Sequence, residues 1–140
     1  QVWNALTEED ALKSWWGPKG YTCPYYDLDL EKGGNYLACM RNRVDGSDSW
    51  STGVFVEIVP EEKLVMTDHF SNPQGRPIPA PAFLPGDWSH NLIITYQLDE
   101  TEGKTTLTLI HEGLPSEVHD DCLKGWNESL DKLEALLRGR

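Results

Sequence analysis

The sequence predicts an α+β domain in which a curved antiparallel sheet of about six strands wraps around a long C-terminal helix. Three observations carry this. Residues 21–111 are a succession of β-branched and aromatic runs separated by turn signals too short for parallel crossovers. Val118, Cys122, Trp126, Leu130, Leu133 and Leu137 recur at steps of three or four residues, the apolar stripe of one amphipathic helix. Two short helical stretches stand before the first strand.

In chain order, Gln1–Leu6 reads as the end of a helix, with Val2, Trp3 and Leu6 on one face. An upstream segment is expected to precede it. Thr7 and Asp10 resemble a capping pair, with Thr7 Oγ accepting an early backbone N–H of a second helix that runs towards Trp15. Gly17-Pro18 ends that helix. Tyr21–Leu30 is a strand that Pro24 assigns to an edge or a bulge. After a Gly33-Gly34 turn, Asn35–Arg43 places Tyr36, Ala38 and Met40 opposite Arg41 and Arg43. Asp45-Gly46 reverses the chain into Ser51–Val59, and Pro60–Lys63 leads into Leu64–Phe70. His90–Asp99 alternates, with Leu92, Ile94, Tyr96 and Leu98 inward. Glu102-Gly103 turns it into Thr105–His111, where Leu107, Leu109 and His111 share a face. Ser116, after Pro115, reads as the N-cap of a final helix of ~22 residues, about 33 Å long.

Between the fourth and fifth strands, Ser71–Ser89 has no period and contains five prolines, so it is a loop. A loop this long in a compact domain is usually functional. Phe83, Leu84 and Trp88 within it read as a lid or rim over something apolar.

With 140 residues the chain is a single domain, 1–140, able to bury a real core. Apolar residues make up 39% and charged residues 25%, which excludes a disordered chain. Twelve Lys and Arg against 23 Asp and Glu give a net charge of −11, a field that repels nucleic acid and anionic lipid. No apolar run reaches the ~20 residues of a membrane span. Three cysteines (Cys23, Cys39, Cys122) match no zinc or redox spacing and read as reduced thiols of a cytoplasmic protein. Six tryptophans and five tyrosines are many for this length, and rings with a polar tip line pockets as well as cores.

Several motifs together resemble a known family. They are Val2-Trp3-Asn4-Ala5-Leu6-Thr7, Trp15-Trp16-Gly17-Pro18, and Asp29-Leu30 with Gly33-Gly34. Gly53–Ile58, Pro60–Thr67, Leu107–Gly113, and Gly125-Trp126 with Ser129-Leu130 continue the match in order. This pattern resembles the activator-of-heat-shock-protein-90-ATPase-homologue family, within the SRPBCC (START and birch-pollen-allergen-like) superfamily. The resemblance implies a helix-grip fold with an internal cavity. It also implies a strand ahead of the first helix, whose place a partner chain could fill, so monomer and homodimer are both open. Small members look like binders of hydrophobic molecules, some relatives are polyketide cyclases or self-sacrificing resistance proteins, and others bind the chaperone. Fold alone does not choose among these.

The candidate residues follow from parity. His111, on an apolar face beside Glu112, reads either as a general acid or base or as a buried imidazole bonded to backbone. Asp68 shares parity with Met66 and Phe70, which leaves three readings open: an inward pocket role, a structural bond, or a bulged, exposed position. Glu57 is ambiguous, because Phe55 and the Val54/Val56 pair cannot all face inward. His119, Asp120 and Cys122 have the wrong count for a closed metal site, and neither a metal nor a cofactor is expected. Trp16, Tyr36, Met40, Met66, Phe70, Trp88, Tyr96, Trp126 and Leu130 are expected to converge with His111 where sheet meets helix. The expected function is binding of a small hydrophobic, aromatic or lipid-like molecule, with His111 and Tyr96 orienting it. The alternatives are a cyclase- or hydrolase-type enzyme using His111 and an inward acid, and a chaperone-associated module.

Overall fold

The computed structural model describes residues 2–88 and 91–138. Helices α1 (Val2–Thr7) and α2 (Glu9–Trp15) lead into strands β1 (Tyr21–Leu28), β2 (Asn35–Asn42), β3 (Asp48–Val59), β4 (Lys63–Ser71), β5 (Leu92–Thr101) and β6 (Lys104–Glu112). A 3₁₀ turn at Ser116–Val118 then opens α3 (His119–Arg138). The strands form one antiparallel sheet in chain order β1-β2-β3-β4-β5-β6, curled into a half-barrel against α3. At 1.5 Å per residue, the 20 residues of α3 run about 30 Å. The helix-grip architecture expected from the sequence is the one observed. Among the described residues, no helix is long and apolar enough to cross a membrane.

Two irregularities shape the sheet. Pro24 sits on edge strand β1 at a register shift between Thr22 and Tyr25, where its missing N–H costs no ladder bond. In β3 an extra residue falls between Phe55, opposite Met66, and Glu57, opposite Val65. That bulge reverses the strand's parity. Glu57 therefore faces out and pairs with Lys63 at 3.0 Å, while Ile58 stands opposite the buried Leu64.

The core lies between the helices and the concave face of the sheet. Leu12, Trp15, Tyr36, Phe55, Leu64, Met66, Ile94 and Tyr96 are each at most 2% exposed. Trp15 Nε1 donates to Ala5 O at 2.8 Å and fastens α2 to α1. Gly53 has a different reason to be there. A Cβ on it would stand 1.9 Å from Thr67 O and 2.6 Å from Tyr36 Cε1, so only glycine lets the Tyr36 ring lie across its strand partner.

Several local expectations need correction. Thr7 does not cap α2: it is the last residue of α1, and its hydroxyl donates back to Trp3 O at 2.8 Å. The N-cap of α2 is Glu8, which makes no side-chain cap bond. Ser116 is inside the 3₁₀ turn, its hydroxyl bonded to the Glu117 carboxylate, so Pro115 occupies the cap position. β3 starts three residues earlier than Ser51, because the β2–β3 turn closes through Asn42 N to Ser47 O. The expected starts at Gln1 and His90 and the loop end at Ser89 lie outside the described residues. The Pro-rich loop is irregular as expected, but Phe83 does not cover an apolar surface: it is 84% exposed.

Candidate functional site

A pocket of about 250 Å³ lies at one end of the half-barrel, between the sheet and the first half of α3. Antiparallel pairing brings alternate strand ends to the same place. Met40 lies opposite Ser49 in the β2–β3 ladder, and Ser51 opposite Phe70 in β3–β4. Asp68 lies opposite Leu92 in β4–β5, and Ile94 opposite His111 in β5–β6. All eight line the pocket. Trp16, Gly17 and Pro18 close it from the end of α2, Cys122, Gly125, Trp126 and Ser129 from α3, and Trp88 from the Pro-rich loop. The rings lock edge to face, Trp16 on Trp126 at 5.6 Å and Phe70 on Trp88 at 5.3 Å, an arrangement aromatic quadrupoles favour.

The residues expected from the sequence divide along the strands. Trp16, Met40, Phe70, Trp88, His111 and Trp126 are on the pocket wall, together with Asp68. Tyr36, Met66, Tyr96 and Leu130 face the same side but stand further from the open end, in the packed core rather than on the wall. Tyr96 is buried in the core, its ring edge-on to Trp126 at 6.4 Å. Trp50, Leu92, Ile94 and Leu114 also line the wall and were not among the expected residues. The inward alternation of β5 already marked Leu92 and Ile94, whereas Trp50 fell outside the expected strand.

One polar chain crosses the apolar wall. Tyr36 Oη donates to Asp68 Oδ1 at 2.8 Å. Asp68 Oδ2 lies 3.6 Å from His111 Nε2, beyond a hydrogen bond. His111 Nδ1 accepts from Trp126 Nε1 at 3.0 Å. The imidazole is therefore held by a side chain of α3 and not by backbone. Because an indole N–H only donates, Nδ1 must be the acceptor and a neutral His111 carries its proton on Nε2. Nε2 is buried and has no hydrogen-bond partner among the described residues.

Burial shifts both titratable groups in the direction of their neutral forms. Burial raises the Asp68 carboxyl, with His111 and the Tyr36 hydrogen bond opposing it. Burial lowers the His111 imidazole, with Asp68 opposing it. Burial, followed by the neighbouring Asp68, raises the Tyr36 hydroxyl well above its ordinary range, so it stays a donor.

The cysteine and metal candidates separate. Cys23 and Cys39 are buried free thiols, each pushed up to about 11 chiefly by burial. Cys122 faces the pocket, while His119 and Asp120 project into solvent with side chains 69% and 101% exposed. Among the described residues, no three His, Cys, Asp or Glu side chains converge in a way that would hold a metal.

Similar architecture occurs in several solved structures. A crystal structure of protein CV1439 from Chromobacterium violaceum is 26% identical, with a TM-score of 0.78, covering 96% of this chain and 86% of that one. The AHSA1 protein of Silicibacter pomeroyi is 24% identical, with a TM-score of 0.77, covering 98% and 88%. A solution structure from Arthrobacter aurescens shares the fold at 21% identity, with a TM-score of 0.81, covering 99% and 78%. No curated protein matches the chain significantly in sequence. The family model for activator of Hsp90 ATPase homolog 1-like protein matches residues 1–138, and the chain belongs to that family.

Proposed function

We propose that the protein binds a small hydrophobic molecule, aromatic or lipid-like, in the pocket at the end of the half-barrel, for sequestration or sensing. The observation that carries this reading is the wall itself: mostly aromatic and aliphatic side chains from the end of α2, five strands, the Pro-rich loop and α3 surround about 250 Å³, with Ser49, Ser51, His69, Ser129 and the Asp68–His111–Trp126 chain as its polar groups. An engineered apolar cavity of about 150 Å³ is enough for benzene, so this space suits one or two fused rings or a short branched chain. Apolar burial supplies the affinity, and the His111–Asp68 pair orients the guest. The free thiols fit a reducing compartment, which supports a cytoplasmic setting.

The test is native mass spectrometry and solvent extraction of the purified protein, followed by thermal-shift titration with a panel of uncharged aromatic and aliphatic compounds. A co-purifying apolar molecule, or a rise in Tm that scales with ligand concentration, is expected. Failure of both across the panel overturns the reading.

The pocket's His111–Asp68 pair also favours a second reading, acid–base chemistry on a bound substrate. Under it, His111→Ala abolishes turnover of a substrate that the folded variant still binds. A chaperone-binding role, which the family's description evokes, instead predicts capture of the chaperone that survives blocking of the pocket.

A further inference from the structure

We infer that the ligand carries a neutral hydroxyl, and that this group seats between His111 Nε2 and Asp68 Oδ2. This deepens the small-molecule reading and rests on it. The argument begins at Trp126, whose Nε1–H occupies His111 Nδ1 at 3.0 Å and fixes the proton on Nε2. Nε2 lies 3.6 Å from Asp68 Oδ2, a separation that leaves its N–H without a hydrogen bond. A buried donor in that condition has lost its water without gaining a partner, so a ligand atom that satisfies it gains by doing so.

The two facing atoms define what that atom must be. His111 Nε2–H needs an acceptor. Asp68 Oδ2, the carboxylate oxygen not bonded to Tyr36, needs a donor when ionised. A hydroxyl oxygen does both at once. An ether or carbonyl only accepts, an ammonium only donates, and a carboxylate brings a second negative charge against Asp68 in a chain of net charge −11. Nε2 is closed to solvent, so seating a hydroxyl against it must disturb the His111 ring. The rest of the guest then lies against Trp16, Phe70 and Trp88. The ligand class is a phenol or a hydrophobic alcohol.

The experiment uses three probes with one skeleton, 2-naphthol, naphthalene and 2-naphthoate, titrated by calorimetry into the full chain at neutral pH. The long-range imidazole ¹H–¹⁵N spectrum of His111 is followed in parallel. The expected result is that 2-naphthol binds about 10- to 100-fold more tightly than naphthalene, the range of a hydrogen bond to a charged group. Naphthoate binds more weakly than naphthol. The free protein shows the Nε2–H tautomer, and naphthol alone moves the Nε2 resonance. In His111→Asn the amide oxygen keeps the place of Nδ1 for Trp126 but nothing reaches the Nε2 position, and the advantage of naphthol over naphthalene disappears. The wild-type series and spectrum decide the matter even if that variant does not fold. Equal binding of naphthol and naphthalene overturns the hydroxyl seat and leaves the apolar pocket standing. So does tighter binding of naphthoate, or an Nδ1–H tautomer. Binding of none of the three overturns both readings.

Discussion

Replacing Trp126 by Phe isolates the hydrogen bond on which the His111 geometry depends. The substitution keeps a ring to pack against Trp16, Tyr96 and His111, whose rings lie 5.6, 6.4 and 5.9 Å away, but removes the only group donating to Nδ1 among the described residues. A part-buried acceptor left without its donor costs about 1–3 kcal/mol. At about 3 °C per kcal/mol for a domain of this size, the melting temperature should fall by roughly 3–9 °C. The same change frees Nδ1 to take a proton. In the wild type burial resists the imidazolium, and protonation at Nδ1 would set N–H against N–H at 3.0 Å. The His111 pKa should therefore rise in Trp126→Phe, and both tautomers should be populated. Calorimetry and the ¹⁵N titration of the imidazole measure the two effects together. An unchanged titration and tautomer in the variant would show that Trp126 does not govern His111.

Three further outcomes are expected. Two pH effects oppose each other. Folded His111 resists protonation, so its contribution is present above about pH 6.5 and is lost as pH falls through the lowered folded value; folded Asp68 holds its proton, so its contribution is complete below about pH 3.9 and is lost as pH rises through the raised folded value. Urea unfolding across pH 4–7 should accordingly lose its acid-side slope selectively in His111→Asn. Two glycine replacements should differ in sign. Gly53→Ala forces a Cβ onto Thr67 O and Tyr36 and should cost at least the ~1–3 kcal/mol of an overpacked core, whereas Gly125→Ala, with Pro18 Cβ at 3.7 Å, should stabilise α3 by up to about 1 kcal/mol while narrowing the pocket and weakening binding, both measurable by denaturation and calorimetry. Trp88→Ala removes the edge-to-face contact with Phe70 at the pocket wall and should weaken 2-naphthol binding, with Tm changing much less than in Trp126→Phe.

Face was legible in the sequence; position along the strand was not. Period-two alternation put Tyr36, Met66 and Tyr96 on the concave side correctly, and the three-and-four spacing of Trp126 and Leu130 did the same for α3. Whether an inward side chain packs or lines a pocket depends on how far it stands from the end where the sheet and helix diverge. That distance is set by ladder register, which turn lengths and bulges decide. Asp68 and His111 are the informative pair. Both were marked by polarity at inward positions, but their proximity follows from a β4–β5–β6 register that no local signal prints: Asp68 opposite Leu92, and Ile94 opposite His111. The parity reversal at Glu57 was equally hidden, since a bulge needs a partner strand before it exists. The misplaced caps have a simpler cause. Thr7 and Ser116 carry hydroxyls suited to a cap, and each found another acceptor closer to hand.

Trp16, Trp50, Trp88 and Trp126, four of the chain's six tryptophans, border a single hollow. Of the other two, Trp15 is tied by its indole to α1, and Trp3 lies within α1 itself. Intrinsic emission is thus weighted towards the hollow, and an absorbing aromatic guest would sit within energy-transfer range of several indoles at once. The unlabelled protein should serve as its own optical sensor, with Trp3 and Trp15 supplying a steady background.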